Sequence, residues 1–364
     1  MSNLAIFHTS LDGGGAERVL ANLACGFVEQ GLSIDLVLVR AEGPFLEMVP
    51  PEVRVVNLQG KRLLSSLPAL VRYLKQNQPP VLLSAMEDTN IVALWSRRLA
   101  GVSTRLVVSV HNTLSRESQN STQLKRRIAP YLARQFYSWA DAVVTVSQGS
   151  ADDMVRLGFP CDRIQVIYNP VVTPELLSKT SEPLNHPWFH PGSPPVLLGV
   201  GRLEKQKDFS TLIRAFAQVR QQRPARLMIL GEGTERPRLE ALIQKLDIAA
   251  DVALPGFVAN PYAYMANASV FVLSSLFEGL PTVLIEAMAA GAPVVSTDCE
   301  SGPSEILARG QYGRLVPVGS SGEMAEAILA TLDAPTNSKV LQQRATEFSL
   351  EKAVHKYRQV LGVS

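Results

Sequence analysis

The chain has 364 residues, 46% hydrophobic and 19% charged, with a formal net charge of +2. That length is long for one domain and that composition suits a large apolar core, so two globular domains are expected. The near-balance of charge argues against a broad nucleic-acid-binding surface, and no apolar run reaches the length of a membrane span. Three widely separated cysteines, Cys25, Cys161 and Cys299, lack metal-type spacing and read as reduced thiols. Met1 leads directly into strand-like Leu4-Ala5-Ile6-Phe7, so a cytoplasmic protein without a signal peptide is expected.

In chain order, short apolar runs predict strands at Leu4–His8, Ile34–Val39, Val81–Ala85, Leu106–Val110, Ala142–Val146 and Ile164–Ile167. Helical stretches such as Ala16–Gln30 and Asn90–Leu99 separate them, which implies βα units and a parallel sheet over residues 1–170. Seven prolines then fall between Pro170 and Pro195 with few periodic apolar positions, so residues 171–194 read as a linker. A second series follows over 195–348, with strands at Val196–Val200, Leu227–Leu230, Val252–Leu254, Val270–Leu273, Val294–Ser296 and Leu315–Val316. Residues 349–364 close the chain with an amphipathic helix, Leu350–Leu361, expected to pack back towards the first domain. The fold class is therefore α/β, two Rossmann-like halves with a ligand cleft expected between them.

The most informative stretch is Phe277-Glu278-Gly279-Leu280-Pro281-Thr282-Val283-Leu284-Ile285-Glu286. Pro281 suits the first turn of a helix, which puts Glu278 in the preceding loop and Glu286 about one turn past Thr282. A helix N-terminus offers free N–H groups and partial positive charge to phosphate. A carboxylate on either side of it can hold hydroxyls flanking a diphosphate, the layout of a nucleotide sugar.

Other turns carry compatible chemistry. Gly13-Gly14-Gly15-Ala16-Glu17-Arg18 opens the first helix and lets backbone approach an anion, although a plain tight turn is the competing reading. It matches neither the dinucleotide fingerprint nor a P-loop. In Gly201-Arg202-Leu203-Glu204-Lys205-Gln206-Lys207, Arg202 follows a strand and Lys207 precedes a helix, so the two cations can converge on a diphosphate leaving group. Leu230-Gly231-Glu232-Gly233 and Pro255-Gly256-Phe257-Val258 are strand-end turns where a flat base could lie against backbone. Val110-His111-Asn112 ends a strand of the first domain, where a histidine satisfied by backbone is an equal alternative. No Asp-x-Asp triplet occurs, so no metal is expected and Arg202, Lys207 and helix N-termini would neutralise the diphosphate instead.

Together with Ser301-Gly302-Pro303-Ser304-Glu305-Ile306 and Gly313-Arg314-Leu315-Val316-Pro317, these motifs make nearly the whole chain resemble a retaining glycosyltransferase of family four, with the two-domain GT-B fold whose parallel sheets face across a cleft. Within it the chain resembles the branch that adds hexoses or N-acetylhexosamines in bacterial lipopolysaccharide, capsule or exopolysaccharide assembly. The resemblance implies roles. Arg202 and Lys207 would hold the diphosphate, Glu278 the donor sugar and Glu286 the ribose. Backbone at Thr282 and Val283 would meet phosphate, approached by Gly14 and Gly15 from the other domain. His111 would face the sugar near the reacting carbon. Val258 backbone would pair with the base, near Gly231. The co-substrate would be a nucleotide sugar, UDP-sugar favoured, with no cofactor and a glycan or lipid-linked acceptor.

Lys125-Arg126-Arg127 and Arg134, near Phe136, Tyr137 and Trp139 and with Arg97-Arg98 upstream, suggest peripheral contact with the inner face of the cytoplasmic membrane. A helix packing its apolar side on its own domain is the competing reading, and Pro130 would kink it. Against the transferase stand another GT-B enzyme, such as a nucleotide-sugar epimerase or a phosphorylase, and a non-enzymatic two-domain sugar-binding protein. A phosphorylase would need a pyridoxal-phosphate lysine motif, and a periplasmic-type receptor a signal peptide.

Overall fold

The computed structural model describes residues 3–12, 14–111, 113–115, 118 and 124–363, the side chains of 124–126 excepted. Gly13 and Asn112, and the side chains of Lys125 and Arg126, thus lie outside the described residues. The chain forms two compact units, one of residues 1–170 with 348–364, the other of residues 171–347.

Unit 1 holds a seven-stranded parallel sheet of β1 (Leu4–His8), β2 (Ile34–Leu38), β3 (Arg54–Asn57), β4 (Val81–Ala85), β5 (Arg105–Val110), β6 (Ala142–Thr145) and β7 (Ile164–Val166). Its order is β3-β2-β1-β4-β5-β6-β7, so the winding reverses between β1 and β4. Every residue of β1, β2 and β4 is buried, as expected of parallel strands covered on both faces, and this is why they read as unbroken apolar runs. Strand β3 departs from the expected set: it is an edge strand of mixed polarity, mostly exposed, and leaves no apolar run to detect. It docks through Arg54, whose guanidinium donates to the buried Asp35 carboxylate (Nε to Oδ1 2.8 Å), which also accepts the Tyr73 hydroxyl.

The helix Gly15–Glu29 covers one face of this sheet together with the C-terminal helix Leu350–Leu361, whose Leu350, Val354, Tyr357 and Leu361 enter the same core as Leu20, Leu23 and Phe27. Arg105 donates twice to the Val360 carbonyl (3.1 and 3.0 Å), and Arg358 donates to Gln30 Oε1 (2.8 Å). The opposite face is covered by helices Leu67–Asn77, Glu87–Ala100, Leu124–Phe136 and Gln148–Arg156.

Unit 2 holds β8 (Val196–Val200), β9 (Arg226–Leu230), β10 (Val252–Gly256), β11 (Val270–Leu273), β12 (Val294–Thr297) and β13 (Arg314–Val316), all parallel, in the order β10-β9-β8-β11-β12-β13. The winding reverses between β8 and β11, the Rossmann arrangement. Helices Phe209–Gln222, Arg236–Lys245 and Ser321–Asp333 pack on one face around Phe216, Ile229 and Ile328.

Residues 171–194 are not the bare linker that their proline content suggests. Thr173 caps the helix Pro174–Thr180 by accepting from Leu176 N at 3.2 Å, with Pro174 at its first turn. Asn260 fastens the end of that helix through Lys179 O (3.0 Å) and Glu182 Oε2 (2.7 Å). Beyond it, His186, Phe189 and Tyr264 form a cluster of edge-to-face rings, and the Arg226 guanidinium lies over Trp188 at 5.0 Å. The prolines start helices and shape an aromatic cover, so unit 2 begins at Val171 rather than residue 195.

Candidate active site

In an open parallel sheet, ligands bind outside the carboxyl ends of the strands where the winding reverses. In unit 2 that point lies between the loops after β8 and β11, which carry Arg202 to Lys207 and Ser274 to Glu278. The structure brings Lys207 and Glu278 together: Lys207 Nζ lies 2.6 Å from Glu278 Oε1, and the same oxygen accepts the Ser275 hydroxyl at 2.6 Å. Glu278 is 9% exposed. The loops are stitched by Ser274 donating to Lys207 O (2.7 Å), Gln206 Nε2 to Phe277 O (2.9 Å) and Leu276 N to Gln206 O (2.8 Å). Arg202 is exposed on the same loop.

Pro281 is the N-cap of the helix Thr282–Ala289, one position earlier than the first-turn placement expected from sequence. Glu278 precedes this helix and Glu286 lies buried within it, and the first N–H groups, at Thr282 and Val283, are beyond the reach of its own ladder. The entry is clamped from the loop after β12. Ser301 donates to Gly279 O at 2.8 Å, and a Cβ on Gly302 (φ 93°) would fall 2.4 Å from Pro281 Cδ, so the motif from Ser301 to Ile306 fixes where the helix begins. Cys299 sits beside this loop. Burial, reinforced by the charge of Glu278, pushes its thiol up to about 12, so it stays protonated at neutral pH.

Gly231 has a packing reason that sequence alone did not show. Its φ is 137°, and a Cβ there would fall 2.0 Å from the Gly201 carbonyl oxygen. The loops after β8 and β9 are thereby brought into contact, with Leu203 N donating to Glu232 O at 2.8 Å. Val258 follows β10, half-buried, beside an 83%-exposed Phe257.

Unit 1 places His111, Gly14 and Gly15 around its own reversal point. His8, the last residue of β1, donates from Nδ1 to the carbonyl of Ala85 at the end of β4 (3.1 Å), and its Nε2 lies 3.7 Å from Glu17 Oε1. Burial works to raise the Glu17 carboxyl, but its contacts with His8 and with its own backbone N–H outweigh this and hold it below the usual range. That carboxylate covers Gly14, where a Cβ would fall 2.2 Å from Glu17 Oε2, while the space beside Gly15 is open. His111, just past β5, is buried; its Nε2 lies 3.1 Å from Ser109 Oγ. Burial, aided by His8 and opposed by Glu17, pushes the imidazole down to about 4, so the ring is neutral at pH 7. His8 and Glu17 were not among the expected site residues, although Glu17 stands in the quoted motif. Among the described residues, no three or more His, Cys, Asp or Glu gather as a metal site.

Two family profiles match the chain, "Glycosyltransferase Family 4" over residues 13–174 and "Glycosyl transferases group 1" over residues 182–348.

The chain belongs to glycosyltransferase family 4.

It is 29% identical over 366 residues to the N-acetylgalactosamine-N,N'-diacetylbacillosaminyl-diphospho-undecaprenol 4-alpha-N-acetylgalactosaminyltransferase of Campylobacter jejuni, covering 95% of this chain and 94% of that one. It is 28% identical over 365 residues to the lipopolysaccharide core biosynthesis glycosyltransferase LpsE of Rhizobium meliloti, covering 98% of each. In fold it is similar to Anabaena Alr3699/HepE, solved in complex with UDP and glucose, with TM-score 0.78, 23% identity and full coverage of both chains. The two parallel-sheet units are the Rossmann-like domains of a GT-B glycosyltransferase. The relatives are glycosyltransferases of lipid-linked glycan and lipopolysaccharide biosynthesis, which supports glycosyltransferase activity for this chain.

Proposed function

We propose that this glycosyltransferase moves a hexose or N-acetylhexosamine, with retention and without a metal ion, from a UDP-sugar to a glycan or lipid-linked glycan in cell-surface polysaccharide assembly at the cytoplasmic face of the membrane. The observation that carries the reading is the Lys207–Glu278–Ser275 cluster at the reversal point of unit 2, with Arg202 on the same loop. Its cations suit a diphosphate leaving group and its carboxylate suits sugar hydroxyls. The relatives' names supply the acceptor class, and the UDP in the HepE complex supplies the nucleotide.

In this reading Arg202, Lys207 and the amides of Thr282 and Val283 neutralise the diphosphate. Glu286 holds the ribose, the backbone near Val258 and Gly231 meets the base, and Gly15 approaches the phosphate, whereas the expected approach at Gly14 is covered by the Glu17 carboxylate. Glu278 and His111 serve the transferred sugar. The acceptor oxygen forms its bond to the anomeric carbon on the face from which the phosphate oxygen departs. The acceptor proton passes to that phosphate oxygen. A nucleotide-sugar screen in excess chelator tests this. Release of UDP and an axial product from an axial donor are expected; GDP-sugar selectivity, an inverted product or rescue by Mg²⁺ would overturn the corresponding part.

Peripheral membrane contact is the second half of the proposal. No helix among the described residues is long and apolar enough to cross a membrane. The helices Glu87–Ala100 and Leu124–Phe136 instead expose Leu99, Ile128 and Tyr131, beside the edge-to-face cluster of Trp95, Phe136 and Trp139. Arg127 and Arg134 are exposed there, whereas Arg97 is committed to Asp141 and to the Trp139 carbonyl. Binding to anionic vesicles should fall steeply with salt and with Arg127→Gln plus Arg134→Gln. Co-sedimentation indifferent to both would leave these helices packing only on their own unit.

A further inference from the structure

The C-terminal helix reaches the candidate catalytic histidine of its own unit. Tyr357 Oη, on the helix Leu350–Leu361, lies 3.3 Å from Ser109 Oγ, and Ser109 Oγ lies 3.1 Å from His111 Nε2. All three side chains are buried. Among the described residues, Ser109 Oγ is the hydrogen-bond partner of the Tyr357 hydroxyl, whose ring otherwise meets apolar neighbours such as Phe27, edge-to-face at 6.4 Å.

Proton accounting gives this chain of bonds one direction. A buried phenol proton must be donated, and Ser109 Oγ is the acceptor in reach. Ser109 then has its own proton to place, and the Nε2 lone pair of His111 is the acceptor left for it. The reverse direction, with Nε2–H donating to Ser109 and Ser109 to Tyr357, would strand the phenol proton in an apolar core. His111 is neutral at pH 7 and carries one ring proton, so a nitrogen that accepts from Ser109 forces that proton onto Nδ1.

We propose that Tyr357 and Ser109 are positioning residues of this transferase: the relay from Tyr357 O–H through Ser109 O–H to His111 Nε2 locks the imidazole in the Nδ1-protonated tautomer, so that the ring offers a hydrogen-bond donor, and never a base, to the transferred sugar. The inference rests on the role proposed above for His111. The helix holding Tyr357 is fixed by Arg105 on the Val360 carbonyl and by Arg358 on Gln30, so the ring orientation of His111 depends on the last turns of the chain.

The test is the nitrogen spectrum of the full chain labelled at its five histidines, with His111→Gln identifying the His111 signals. The wild type should show protonated Nδ1 and bare Nε2. Ser109→Ala and Tyr357→Phe should shift the ring towards protonated Nε2, and Ser109→Thr, which keeps a hydroxyl, should restore the wild-type pattern. Tyr357→Phe keeps the buried ring, so it should fold and lose about tenfold in kcat, the rate equivalent of one neutral hydrogen bond, with KM for the donor unchanged. Protonated Nε2 in the wild type, or one tautomer throughout the series, overturns the relay. A tautomer that responds as expected while His111→Gln retains full turnover overturns the role of His111 in transfer and leaves the relay as an observed property of the fold.

Discussion

Around the ends of β1 and β4, unit 1 gathers His8, Glu17 and His111; around the ends of β8 and β11, unit 2 gathers Arg202, Lys207, Ser275 and Glu278. Both sets stand at the reversal point of a parallel sheet, yet their charge is handled in opposite ways. In unit 1, burial keeps His111 neutral and hydrogen bonds to Ala85 O and Ser109 fix the direction of each ring. In unit 2, a largely buried ion pair is kept between two loops, with an exposed arginine on the loop that carries Lys207. A neutral, oriented donor can select and align a polyhydroxyl substrate without favouring any anion. A cation held by a carboxylate at hydrogen-bond distance can turn to a diphosphate, because the pair exchanges one oxyanion partner for another rather than desolvating a bare charge. The same sheet topology thus supports orientation in one unit and charge neutralisation in the other.

The comparison breaks first at the cations. Arg202→Ala should lower turnover by roughly 10²–10³, by analogy with the loss of one oxyanion donor, and leave stability unchanged because the side chain is exposed. Lys207→Ala should lower turnover as far and also destabilise unit 2, since Glu278 keeps only Ser275 of these two partners. Turnover and denaturant midpoints measured on both variants check this, and near-normal turnover in folded Arg202→Ala would remove the leaving-group role.

The two glutamates sharpen the comparison within unit 2. Glu286→Gln should weaken binding of free UDP by about tenfold to a hundredfold, the worth of a hydrogen bond to a charged group at roughly 1.5–3 kcal/mol. Glu278→Gln should leave UDP binding nearly intact and reduce transfer, because the partner proposed for it is the sugar. Calorimetry with UDP showing the opposite pattern would reverse the donor's orientation.

The last test is a pH dependence expected from His111 in unit 1. His111 has a folded pKa of about 4 against an ordinary 6.5, so the unfolded chain binds a proton that the folded one refuses. Its contribution to stability is complete above pH 6.5 and declines as pH falls towards 4, by roughly 2 kcal/mol between pH 7 and 4.5. Protection factors of the β5 amides, which take out the slower intrinsic exchange at low pH, should fall accordingly on acidification, and His111→Gln should flatten the dependence. An unchanged slope in that variant would assign the acid sensitivity to another group around the site, such as Glu17.

Much of this was written locally. Strands such as Leu4–His8 and Val81–Ala85 are legible because a parallel strand buried on both faces must be apolar at every position. The helix after Pro281 was legible because proline tolerates a helix start, and Glu278 and Glu286 took their places before and within it. Edge strand Arg54–Asn57 escaped because one covered side demands no apolar run, and the cover at 171–194 was mistaken for a linker because proline marks helix starts as readily as breaks. Sequence by itself determined the two α/β series, the reversal-point loops and the charged residues those loops carry, since strand burial and turn chemistry act over a few neighbouring residues. Only the tertiary structure decided that Lys207 meets Glu278 across 71 positions and that Tyr357 reaches Ser109 from 248 positions away. Those contacts depend on which strands become neighbours when the sheets wind, and spacing along the chain carries no record of that.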